Sequence, residues 1–144
     1  MSGRDYQRSR VYAWENRVVA PRDPSRLGAA ETQPLVDAIW AEMGLRFPPK
    51  VEPLAPQASR LVAQASRLTI QVSSCTPSWC LLHELAHAMS MTHDGAGDGH
   101  GPVFMGLYLR LLERYMRLPA PDLLASLAEA GIDVDVAARP VFVD

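Results

Sequence analysis

Residues 83–87 read His-Glu-Leu-Ala-His, inside a largely apolar run from Trp79 to Met91. If that run is a helix, residues four apart share one face, one turn above the other. His83 and His87 then offer two imidazole nitrogens to one metal ion. Glu84 projects beside them, close enough to take a proton from an activated water without itself binding the metal. Two histidines with this intervening carboxylate point to metal-assisted hydrolysis, with Zn2+ the ion that best suits the donors.

A catalytic zinc commonly takes three protein ligands and a water. The chain has four histidines, so the third ligand is His93 or His100. His93 follows His87 by the spacing of the metzincin pattern H-E-x-x-H-x-x-G-x-x-H. Ser90, however, stands where that pattern has its turn glycine, and serine enters a left-handed turn only with strain. His100 stands in Gly99-His100-Gly101-Pro102-Val103-Phe104, where a ligand would clamp the motif helix to the helix that follows.

These residues lend Leu68 to Tyr115 a family likeness. With H-E-L-A-H, a spacer of about a dozen residues and then H-G-P-x-F, the segment resembles the SprT-like and related minimal-zincin metallohydrolases. The resemblance implies an α+β fold, with a small antiparallel or mixed sheet packed on the motif helix and further helices around it. It implies a zinc site of His83, His87 and His100, with Glu84 as general base in peptide or amide hydrolysis. The substrate would be a peptide or protein lying extended beside an edge strand, and Leu68 to Ser73 is the expected strand. Tyr108, Tyr115 and His93 are candidates to stabilise the oxyanion, while Asp94 and Asp98 read as turn formers able to orient a histidine.

Relatives that cleave proteins on DNA carry a zinc ribbon or basic segments. Beyond Leu118 this chain has no cysteine, no histidine and little positive charge. The resemblance therefore carries the site rather than a DNA-linked role, which stands as an alternative. A second alternative is a non-catalytic zinc-stabilised interaction module, for which Glu84→Gln would change nothing.

Composition sets the frame. At 144 residues, 48% hydrophobic and 21% charged, one domain with an ordinary core is expected. It divides into a helical part (1–50), a metal-site core (60–118) and a C-terminal helix and tail (119–144). A net charge of −2 gives no global attraction to nucleic acid. No run approaches the ~20 apolar residues of a membrane helix, and the polar first ten residues do not read as a secretory signal. A cytoplasmic setting follows as the expectation, with Cys75 and Cys80 as reduced thiols. The arginines of the first third (Arg4, Arg8, Arg10, Arg17, Arg22 and Arg26) are interleaved with acids and read as a solvated face.

Periodicity supplies the elements that must position the site. A first helix is expected over Asp5–Val19, with Val11, Trp14 and Val18 inward, and a second over about Glu31–Met43 with Pro34 in its first turn. Leu61–Ala65 and Leu68–Val72 read as strands, and Ser74–Ser78 as a connection ending in Ser78 as N-cap. The motif helix is expected over Trp79–Met91. A flexible glycine-rich loop then spans Asp94–Gly101, and a helix runs from Pro102 to Leu118. A last helix covers Asp122–Ala130, and the apolar tail, Val134–Val143, suggests a further strand. Trp14, Trp40 and Trp79 are expected in the core, and Met89, Met91 and Met105 in packing.

Overall fold

A computed structural model describes residues 5–23, 25–54, 63–73, 75–92 and 94–141. In chain order its elements are α1 (Arg8–Trp14), a π-helical turn (Glu15–Val19), a 3-10 turn (Ala20–Arg22), β1 (Arg26–Gly28) and α2 (Ala29–Glu42). There follow β2 (Lys50–Pro53), β3 (Ala63–Ala65), β4 (Thr69–Val72), β5 (Cys75–Pro77), α3 (Ser78–Met89), α4 (Pro102–Tyr115) and α5 (Ala120–Glu129). The class is α+β, as the sequence suggests.

The first helical segment departs from the expected register in a way that matters for the site. A π turn takes more residues per turn than an α-helix. Over Glu15–Val19 this rotates the inward face by about one position, so Val11, Trp14, Glu15 and Val19 are buried while Val18 is only half-buried. Glu15, four residues after Val11, is part of this buried face, while Arg8, Arg10 and Arg17 are exposed, as expected of a solvated face.

Two small sheets lie beside the helices. β4 is the central strand of a mixed three-stranded sheet, parallel to β2 (Val51 opposite Ile70) and antiparallel to β3 (Ala65 opposite Ile70). This corrects the expectation that Leu68–Ser73 is an edge: both sides of β4 are already hydrogen-bonded. β1 and β5 form a second, antiparallel pair, with Leu27 opposite Thr76. Thus β5 lies within the stretch read as a connection, and β1 and β2 fall where no strand was read. Ala63–Ala65 matches one expected strand, whose Leu61 and Val62 lie outside the described residues. No described residue of the tail lies in a strand.

α3 packs against β3, β4 and α4. Its start is held from a distance. Ser78 is the first helical residue and not the cap; its hydroxyl donates to Asp23 Oδ1 and Oδ2 at 2.7 and 2.8 Å. Asp23 Oδ2 in turn accepts the Trp79 N–H at 2.7 Å, so a carboxylate from the β1 side satisfies a free amide at the positive end of the helix. α3 stops at Met89, two residues short of the expected end. α2 begins at Ala29, with Glu31 accepting the Gly28 N–H at 2.7 Å, which leaves Pro34 inside the helix rather than in its first turn.

α4 ends at Tyr115, three residues before Leu118, because Arg117 takes a left-handed backbone (φ 57°) that reverses the chain. The tail then crosses α4 at Gly106, where a Cβ would overlap the Asp135 carbonyl oxygen. Trp14, Ile39, Trp40, Leu81, Leu85, Phe104, Tyr108 and Leu111 are fully enclosed at the common centre, as are Met89 and Met105. Trp79 and Met91 are only partly buried. No helix among the described residues is long and apolar enough to cross a membrane.

Candidate metal centre

His83 and His87 lie on consecutive turns of α3, and His100 sits in the turn that opens α4. Their Nε2 atoms converge: His83 to His87 3.1 Å, His87 to His100 3.1 Å, and His100 to His83 3.3 Å. Donors on a tetrahedral zinc at its usual bond length are separated by about 3.3 Å. The three nitrogens therefore have the spacing of one face of such a site. Among the described residues they are the set able to hold a metal, and Glu84 is not part of it. His93, the competing third ligand, lies outside the described residues.

The opposite ring nitrogens show why these rings point as they do. His83 Nδ1 lies 2.5 Å from Glu15 Oε2, and the same oxygen accepts the Tyr108 hydroxyl at 2.7 Å. His100 Nδ1 lies 2.5 Å from Asp5 Oδ2, while Asp5 Oδ1 accepts the His100 backbone N–H at 3.0 Å. Gln7, fully buried, donates to the His100 carbonyl at 2.9 Å. A carboxylate facing Nδ1 keeps the proton on that nitrogen and leaves Nε2 with a free lone pair. Both histidines are thus held in the tautomer a metal requires. His87 is braced differently, stacked on Phe104 with ring centroids 4.3 Å apart.

Three lone pairs this close repel unless a cation lies among them, and burial and the neighbouring charges set how readily each ring takes a proton. Burial, together with His83 and His100, lowers His87 to a pKa of about 2. Burial also lowers His100, outweighing the opposing pull of Asp5. His83 is raised instead: burial opposes its charge, but the Glu15 carboxylate more than compensates. Of the three rings His83 is thus the one that most readily carries a proton, while His87 and His100 are held neutral, the form in which a histidine binds a metal.

Glu84 is mostly enclosed, and burial raises its carboxyl to about 7, with Glu15 adding to the rise against the pull of His83. It lines a cavity of about 390 Å³ shared with Tyr12, Glu15, Asn16, Trp79, Cys80 and His83. Cys80 belongs to that wall; burial pushes its thiol up to about 12, so it is a neutral, weakly polar group there.

The segment expected to be a flexible loop is a set of tight turns. Gly99 is left-handed (φ +65°), and a Cβ on it would fall 2.8 Å from Asp5 Cγ. Asp98 accepts the Val103 N–H at 2.7 Å and the Phe104 N–H at 3.2 Å, capping α4, and a Cβ on Gly101 would fall 2.6 Å from Asp98 Oδ2. Both glycines flanking His100 are thus needed for close approach, and Asp98 acts as a turn former and cap. Tyr108 and Tyr115 are not free to serve as oxyanion donors: Tyr108 is fully buried on Glu15, and Tyr115 donates to Glu42.

Asp5 and Glu15 are the site residues that reading the sequence missed. The one available signal was Glu15 lying directly after Trp14 on an otherwise apolar face. No family model, no curated protein and no solved structure matches this chain.

Proposed function

We propose that the chain is a zinc-dependent hydrolase acting on peptide or amide bonds, on a minimal-zincin type of α+β scaffold. The observation that carries this reading is the convergence of three Nε2 atoms whose Nδ1 partners include two carboxylates. Such carboxylate–histidine pairs fix ring orientation and raise the basicity of the ligand. A histidine cluster serving packing alone would have no need of them.

His83, His87 and His100 would hold the ion. When bound, zinc supplies Lewis acidity that activates water near neutral pH and polarises a carbonyl. Glu84 stands beside the ligand set without joining it, and its raised carboxyl suits a group that takes a proton and hands it on to a leaving amine. Glu15 and Asp5 keep the ligand protons on Nδ1 throughout. Because β4 is covered on both sides, an extended substrate would have to approach along another surface; among the described residues, a cavity beside Glu84 reaches the site at His83.

The test is hydrolysis of a mixed peptide library by zinc-loaded protein, read by mass spectrometry beside Glu84→Gln at equal metal content. We expect cleavage by the wild type and a loss of at least about 100-fold in the variant. Cleavage unaffected by Glu84→Gln would remove Glu84 from the mechanism. A zinc-loaded protein that cleaves nothing, yet keeps its fold through the metal, would favour a zinc-stabilised interaction module.

A further inference from the structure

Resting on the hydrolase reading, we propose that the cavity beside Glu84 receives a large apolar, preferentially aromatic, side chain of the substrate. The cavity touches the site at His83 and Glu84, so whatever fills it lies next to the bond being attacked. At about 390 Å³ it falls within the range of pockets that take small organic groups.

Its walls decide the chemistry of the occupant. Trp79 from α3 and Tyr12 from α1 supply two aromatic surfaces; Tyr12 is 40% exposed and Trp79 half-buried, so both leave ring surface for a guest. Cys80 adds a neutral thiol. Of the two carboxylates, Glu15 already holds His83 Nδ1 and the Tyr108 hydroxyl on Oε2, so that oxygen has little to offer a cation. Arg8 places its guanidinium 5.6 Å from the centre of the Tyr12 ring, so the cation site on that aromatic wall is already taken by a residue of the chain. Glu84 at the inner end disfavours an acidic one. What remains favourable is aromatic packing against Trp79 and Tyr12.

Three hydroxamic acids that share one metal-binding head separate this inference from the reading on which it rests. Acetohydroxamate carries no side chain, 3-phenylpropionohydroxamate carries a phenyl group and 6-aminohexanohydroxamate carries an ammonium. Each is titrated into the zinc-loaded protein by calorimetry and by tryptophan fluorescence. Trp14 and Trp40 have no exposed surface, so a fluorescence change reports on Trp79.

We expect the phenyl compound to bind about tenfold or more tightly than acetohydroxamate, with a change in tryptophan emission. That gain should disappear in Cys80→Phe, which fills the cavity from α3, and in Asn16→Phe, which fills it from the exposed side of the π turn. Acetohydroxamate binding should persist in both variants and so certify an intact site. Acetohydroxamate binding with no gain from the phenyl group, or a gain that survives both substitutions, would overturn the cavity assignment alone. A greater gain from the ammonium compound would overturn it in favour of a basic side chain. Failure of all three compounds to bind zinc-loaded protein would overturn the hydrolase reading and the inference with it.

Discussion

Replacing Glu15 with Gln should weaken zinc binding although Glu15 does not touch the metal. Glu15 Oε2 accepts from His83 Nδ1 at 2.5 Å and from Tyr108 at 2.7 Å, and its side chain is only 3% exposed. Gln removes the negative charge opposite the metal. It can also turn its amide N–H toward Nδ1, which sends the ring proton to Nε2, the atom that must bind. Losing such a partner typically costs 10–100-fold in affinity, or about 1.4–2.7 kcal/mol. The burial of this pair places Glu15→Gln near the upper end. Asp5 faces His100 at the same 2.5 Å, but its side chain is 28% exposed, so Asp5→Asn should lie near tenfold. Tyr108→Phe removes one donor from Glu15 yet leaves its charge, and should cost only a few-fold. Competition with a fluorescent zinc chelator gives the three constants, and circular dichroism confirms each fold. A Glu15→Gln protein that is folded and binds zinc within threefold of wild type would refute the reasoning.

Two further outcomes concern stability. Gly106→Ala places a methyl group on the Asp135 carbonyl, so the tail must lift from α4; we expect a loss of about 3 kcal/mol in denaturant unfolding, and a near-neutral result would show that the crossing is not close. In metal-free protein, burial raises Glu84 from 4.5 to about 7. A carboxyl raised on folding leaves stability intact below its unfolded value and removes it as pH climbs through the folded one. Glu84→Gln should therefore gain on wild type between pH 4.5 and 8, by up to about 3 kcal/mol, in chelator-treated denaturant titrations. A difference that stays constant over that range would contradict the burial of an ionisable Glu84.

The parts of the site that are local in sequence were the legible ones. The four-residue spacing of His83 and His87 needs only a helix to bring the rings together, and Pro102 marks the start of α4 because its missing N–H is harmless there. Alternation over Leu68–Val72 announced β4. It did not say whether β4 is central or at an edge, since that depends on partners elsewhere in the chain. β1 and β5 have three residues each, too few to show a period, and β2 carries a proline. Asp5 and Glu15 reach their histidines across 95 and 68 positions, separations at which periodicity carries no information. The π turn itself has no signature in the apolar pattern beyond Val19 taking the place of Val18. Likewise Asp23 caps α3 from outside, where sequence proximity favoured Ser78.

The most direct test of the metal centre is zinc content, measured by plasma mass spectrometry on native protein beside His83→Ala, His93→Ala and His100→Ala. We expect about one zinc per chain, lost in His83→Ala and His100→Ala and retained in His93→Ala. A protein that neither carries nor takes up zinc, or that loses it with His93→Ala while keeping it with His100→Ala, would contradict the site assembled by His83, His87 and His100.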